Sequence, residues 1–150
     1  KMTIKQELYN LCETFVNQRL QTIQQTISSN QKALQSETKS SVGDKHETGR
    51  AMLQLEMEKA GQQLQSIQAM KETLARINPT QTNTMASLGS IVHTTEAAYF
   101  LGVSAGKLTA SGKEFFAVSV SSPIGKVLLG NKEKDQVIFN GKQIVIEKVV

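Results

Sequence analysis

Asp44 and Glu47 stand three residues apart in the run Ser40-Ser41-Val42-Gly43-Asp44-Lys45-His46-Glu47-Thr48-Gly49-Arg50. On the first turn of a helix, that spacing puts two carboxylates at neighbouring positions of one face, where both reach one cation. A hard divalent ion such as Mg²⁺ wants six oxygens and usually borrows most of them from a partner. Two acids therefore make half of a shared metal site, and no tightly bound metal is expected in the free protein. The same pair has a purely structural use. Asp44 suits the N-cap of a helix and Glu47 its N3 position, a capping box that also favours the positive end of the helix dipole. Both uses stay open, because each acid has two oxygens. His46 between them is placed to shuttle a proton, or is simply an exposed residue.

The elements on either side must present this pair. From Ile4 to about Lys39 the larger apolar residues are Ile4, Leu8, Leu11, Phe15, Val16, Leu20, Ile23, Ile27 and Leu34, opening with steps of 4, 3 and 4. That is one buried stripe on a helix. No Gly or Pro interrupts Met2 to Val42, and at 1.5 Å per residue such a helix runs roughly 55 Å. After Gly43 a second stripe follows: Leu53, Met57, Ala60, Leu64, Ile67, Leu74 and Ile77, with Met70 beside the one polar intrusion, Lys71. Two long helices with a short connection return antiparallel. The expectation is a two-stranded antiparallel coiled coil over 1–78, reversing at 41–44, with a functional tip at 40–50. Its outward faces carry many Gln and Ser, as a solvated helix surface would. A rod made to slide past a charged partner would look the same.

Pro79 ends the second helix, and Asn78-Pro79-Thr80-Gln81-Thr82-Asn83-Thr84 begins a linker, taken as 79–84. Beyond it the texture changes. Ser90–Thr95, Ala97–Val103, Phe115–Val120, Gln136–Phe139 and Lys142–Val149 are short, β-branched and aromatic segments divided by glycines and polar turns. Asn140-Gly141 between the last two is a two-residue hairpin signal. Ser122-Pro123 through Gly130 has Ser at an N-cap, Pro at N1 and Gly just past the end, hence one short helix. Residues 85–150 thus read as a small, mostly antiparallel sheet with one helix on it. The whole chain reads as α+β.

Composition removes several function classes. The chain has 150 residues, with 17 Lys and Arg against 13 Asp and Glu. The excess is +2 in residues 1–78 and +2 in 79–150, so no basic block marks a direct nucleic-acid binder. Cys12 is alone on an apolar helical stretch, which excludes an internal disulfide and suits a reducing compartment; a buried structural thiol is the default. No apolar run approaches the ~20 residues of a membrane span and no signal peptide is seen, so the expected address is the cytoplasm. His93 has no second histidine or cysteine at metal-ligand spacing. Gly102, Gly106 and Gly112 sit at strand ends and form no phosphate loop. No self-contained active site is found: the chain does not read as an enzyme and needs no cofactor of its own.

The run Val118-Ser119-Val120-Ser121-Ser122-Pro123-Ile124-Gly125-Lys126-Val127-Leu128-Leu129-Gly130-Asn131-Lys132 closely resembles the C-terminal domain of the Gre transcript-cleavage factors, bacterial proteins that bind RNA polymerase. The family pattern is a strand, Ser-Ser-Pro, a short helix ending Leu-Leu-Gly, then a lysine. Asp135-Gln136-Val137 and the final hairpin continue the likeness, which covers about residues 88–150. The N-terminal half matches in layout: a coiled-coil hairpin ahead of an FKBP-like sheet domain. The family's tip motif, Gly-Asp-x-x-Glu, is matched by Gly43-Asp44-Lys45-His46-Glu47. This chain departs from the family in having Lys45 after Asp44 and Thr48-Gly49-Arg50-Ala51 after Glu47, which bring positive charge to the tip.

The resemblance implies an elongation factor that acts as a monomer on RNA polymerase. Its sheet domain would dock on the polymerase, with the Ser121-Ser122-Pro123 corner as partner contact, and its hairpin would enter the secondary channel. There Asp44 and Glu47 would share Mg²⁺ with the polymerase active centre, meet nascent RNA indirectly and stimulate the polymerase's own cleavage of backtracked RNA. Two alternatives stand beside this. One is a channel-binding modulator without cleavage. The other is an FKBP-like interaction module unrelated to transcription, although Phe115 and Phe116, on opposite faces of one strand, do not line one pocket together.

Overall fold

The computed structural model describes the backbone of residues 1–39 and 44–150 and the side chains of 1–36 and 48–150. Two long helices open the chain, α1 (Ile4–Lys39) and α2 (Asp44–Ala75). Six strands and one short helix follow: β1 (Ile91–Thr94), β2 (Ala98–Gly102), β3 (Gly106–Ala110), β4 (Lys113–Ser119), α3 (Pro123–Leu128), β5 (Gln136–Phe139) and β6 (Lys142–Val149). The expected α+β class is what the chain adopts. The reversal expected at 41–44 lies, but for the Asp44 backbone, outside the described residues.

The chain divides into two compact units, Val16–Met70 and Lys1–Phe15 with Lys71–Val150. The first contains only parts of α1 and α2, so whatever is buried there is buried by the other helix. Val16, Ile23 and Asn30 on α1, and Ala60 and Ile67 on α2, are the buried positions. Their seven-residue steps are the seam of a coiled coil. Leu20, Ile27, Leu53, Met57 and Leu64 flank them, half-buried. Asn30 is the polar member of this seam, and its Nδ2 has no hydrogen-bond partner among the described residues.

The second unit is built on a six-stranded sheet in the order β3-β4-β2-β1-β6-β5. Every neighbouring pair is antiparallel except β2 and β4, which run parallel with Tyr99 opposite Phe116 and Leu101 opposite Val118. The connection between those two is β3, folded back on the outer edge of β4. β3 is a strand beyond the five expected, with only Leu108 and Ala110 even partly withdrawn from solvent.

Strand alternation gives the sheet two apolar faces. On one, Val92, Leu101 and Ile146 pack with Ala86 and with Ile124 and Leu128 of α3. On the other lie Ile91, Phe100 and Phe115, all buried, and Ile77 is buried as well. Gly89, at φ 92°, and Gly102 make room for that isoleucine: a Cβ would lie 3.0 Å and 3.4 Å from its side chain. The first turns of α1 belong to the same unit. Lys5, only 4% exposed, donates from Nζ to the carbonyls of Gln81 at 2.7 Å and Val150 at 2.9 Å. Burial lowers its proton affinity. Tyr9 donates from its hydroxyl to the Leu74 carbonyl at 3.1 Å.

Candidate functional site

The strand-to-helix corner after β4 is built almost wholly from serines and one glycine. Ser122 is the N-cap of α3, with extended backbone (φ −69°, ψ 159°) and Pro123 at the first helical position. Its hydroxyl donates to the Ser119 carbonyl at 2.6 Å and accepts from Gly125 N–H at 3.1 Å. One small side chain thus ties the strand's last residue to the helix's first turn. Ser119 and Ser121 share a hydroxyl–hydroxyl bond of 2.8 Å, and Ser121 N–H donates to Ser119 Oγ at 3.1 Å. A Cβ on residue 125 would sit 2.0 Å from the Ser119 carbonyl oxygen. No other residue type fits there without moving the backbone.

The far end of α3 is equally specified. Leu129 N–H closes the helix on the Gly125 carbonyl at 2.9 Å. Gly130 turns left-handed at φ 83°, and its N–H donates to the Ala86 carbonyl at 2.8 Å. Asn131 Nδ2 donates to the carbonyls of Val127 at 2.8 Å and Leu128 at 3.3 Å. Lys132 N–H donates to Asp135 Oδ2 at 2.9 Å. Of the three corner residues expected to meet a partner, Ser121 and Pro123 are exposed. Ser122 is half-buried and committed to the cap. Leu129, at the far end of α3, is 44% exposed, and Met85, which bridges to Lys132, is 55% exposed. Neither apolar side chain stood out in the sequence.

The acids of the tip sit at the start of α2, whose helical backbone begins at Asp44 and includes Glu47. Their side chains, and those of Lys45 and His46, fall outside the described ones. Arg50, the cation that follows, is exposed. Among the described residues no group of three or more His, Cys, Asp and Glu gathers in a way that could hold a metal ion. No helix there is long and apolar enough to cross a membrane.

The remaining candidates have plain packing roles. Cys12 is fully buried, and burial pushes its thiol up to about 12. His93 is half-buried, with its ring edge-on to Phe115 at 6.1 Å and 68°. Phe115 is 1% exposed and Phe116 is 40% exposed, as opposite faces of one strand require.

No protein-family model matches the chain, and no curated protein matches it by sequence. Among solved structures it is similar to the crystal structure of GreA factor homolog 1 (Gfh1) protein of Thermus thermophilus. That match has 17% identity and a TM-score of 0.36, over 90% of this chain and 92% of the other. It is also similar to a structure of the transcription factor Gfh1, at 18% identity and TM-score 0.34, over 89% and 90%.

Proposed function

We propose that this protein is a Gre-type elongation factor that binds bacterial RNA polymerase, with the unit holding the sheet as its dock and the tip of the helical pair as its working end. The observation that carries this reading is the corner from Ser119 to Gly130. The stretch most specific to the Gre pattern is held by its own cap, serine hydrogen bonds and a close Gly125 approach. It leaves Ser121 and Pro123 exposed at the start of α3 and Leu129 exposed at its end. A corner held this firmly, with polar and apolar groups exposed around it, is a rigid recognition surface.

Asp44 and Glu47 lie on the first turn of α2, at neighbouring positions of one face by spacing. Their hard carboxylate oxygens suit Mg²⁺, and two of them suffice only where a partner supplies the rest. A Mg²⁺ held in this way supplies an activated water and stabilises a leaving oxygen. The chain's own contribution is to bring two negative charges to that place and hold them on a helix start.

The test is transcript cleavage on a stalled, backtracked elongation complex with the full chain. Wild type should accelerate cleavage, and Asp44→Asn should abolish the acceleration while binding the polymerase nearly as well. Asn caps a helix about as well as Asp, so a loss of activity in that variant is chemical in origin. A second reading, a channel-binding modulator without cleavage, is favoured by Lys45 and Arg50, whose charge opposes a metal at the tip. Wild-type protein that binds the complex and never accelerates cleavage selects it. Failure to bind polymerase at all overturns both.

A further inference from the structure

On the face of the sheet away from α3 lies a cavity of about 570 Å³, a size typical of small-molecule sites. Ile91 and Phe115, both nearly inaccessible, line it together with the half-buried ring of His93. Its walls include the first turn of α1, at Thr3 to Lys5, and Thr80 and Thr82 beyond α2. Lys113, Lys148, Glu147 and Val150 complete the lining.

The placement of Lys148 is not what plain alternation would give. Ile146 belongs to the core beneath α3, and a residue two further along a regular strand points the same way. The β1–β6 register slips instead: Thr94 stands opposite Ile146, but His93 stands opposite Lys148, leaving Glu147 without a partner. This bulge turns Lys148 onto the face of His93, a recurrent use of bulges beside binding sites. Lys113 approaches from β4; burial first, then the charges of Lys148 and Lys113, lower the proton affinity of the His93 imidazole, with Glu147 opposing. Lys5 is already committed to two carbonyls. Neither Lys113 nor Lys148 forms an ion pair among the described residues.

We propose that this cavity binds a small organic anion, an apolar body carrying one carboxylate, with the body against Ile4 and Val150 over the buried Phe115 and Ile91 and the carboxylate between Lys113 and Lys148. A neutral apolar ligand would gain nothing from the two solvated ammonium groups, and a cation would be repelled by them. A multiply charged phosphate compound would have to bury charge against Phe115 and Ile91, which offer it nothing. Of the wall threonines, Thr80 already donates to Asn78 Oδ1 at 2.6 Å, so Thr3 and Thr82 are the ones whose hydroxyls would donate to a carboxylate oxygen.

The experiment is an NMR titration of the ¹⁵N-labelled full chain with 4-phenylbutyrate and, separately, with uncharged 4-phenylbutanamide. The acid should shift the amide signals of Ile91, His93, Phe115 and Lys148. The amide should bind at least about fivefold more weakly. The double variant Lys113→Gln/Lys148→Gln changes two exposed side chains, so its spectrum should stay that of the folded protein. Its affinity for the acid should fall to that for the amide. Equal binding of acid and amide, binding untouched by the double variant, or no shift at these residues up to about 5 mM ligand would each overturn the proposal.

Discussion

Gly125 passes so close to Ser119 that an added Cβ would stand 2.0 Å from the latter's carbonyl oxygen. The contact is with backbone, which cannot rotate away as a side chain can. The Ser122 hydroxyl bonded to both residues holds them at that separation.

Gly125→Ala should therefore destabilise the sheet unit by at least ~2 kcal/mol, the range for overpacking against an unyielding neighbour. Ser122→Ala should cost about 1 kcal/mol through the lost cap, and Ser121→Ala close to nothing. Urea denaturation of the three variants checks the order. A Gly125→Ala protein as stable as wild type would mean that the corner is looser than its geometry.

Asn30 sits in the coiled-coil seam with an Nδ2 unpartnered among the described residues. A buried polar residue at such a position costs stability and fixes register. Asn30→Leu should stabilise the helical pair by about 1–2 kcal/mol, since it removes an unpaired donor and adds apolar contact. Thermal melts followed by far-UV circular dichroism would show the gain, and an unchanged or lower midpoint would count against it.

Cys12 carries a thiol pushed by burial from 9.0 up to about 12. A group whose folded pKa is raised lends stability that is whole below pH 9 and is lost as the pH rises from 9 towards 12. Iodoacetamide should label the native chain far more slowly than the urea-unfolded chain, because the thiolate is the nucleophile. Equal rates at neutral pH would place Cys12 at the surface.

His93 works in the opposite sense. Burial first, then the charges of Lys148 and Lys113, hold its imidazolium below the ordinary value of 6.5. The unfolded chain then takes up a proton near 6.5 while the folded chain still resists. Stability is whole above that pH and falls as the pH drops beneath it. In His93→Gln the fall between about pH 6.5 and 5 should be shallower. Denaturant midpoints measured across that interval provide the check, and parallel curves would exclude the histidine as the cause.

How far the sequence carried depended on how local the cause was. β5 and β6 were legible to the residue because Asn140-Gly141 sets the turn by its own chemistry, with both residues at positive φ, 52° and 75°. The same holds for α3, whose cap, proline and terminal glycine lie within nine residues. β3 was not legible: Gly-Lys-Leu-Thr-Ala offers little apolar signal, and its pairing with β4 defines it as a strand. Leu11 looked like part of the α1 stripe and is 37% exposed, while Cys12 next to it is fully buried. Nor did any pattern mark Lys5 for burial, because its two acceptors lie 76 and 145 positions away. The bulge at Glu147, which depends on β1 as partner, was equally hidden. For the candidate site, the corner and the tip acids were visible as motifs. The exposed Leu129 and Met85 around the corner were not, since exposure is a property of the assembled surface.

The bonds from Lys5 to the Gln81 and Val150 carbonyls have a consequence for the order of events during synthesis. β6 is no edge strand: it lies between β1 and β5, so the sheet has a missing interior row until residues 142–149 have left the ribosome. The helical pair, by contrast, needs nothing beyond residue 70 to bury its seam. A growing chain should therefore form the coiled coil early and carry α1's first turn as an unsatisfied flap, its lysine waiting for acceptors made later. Contacts of such long sequence separation are slow to form. Emergence of residues 142–149, rather than of the helices, then sets the time at which the six-stranded sheet can first be complete.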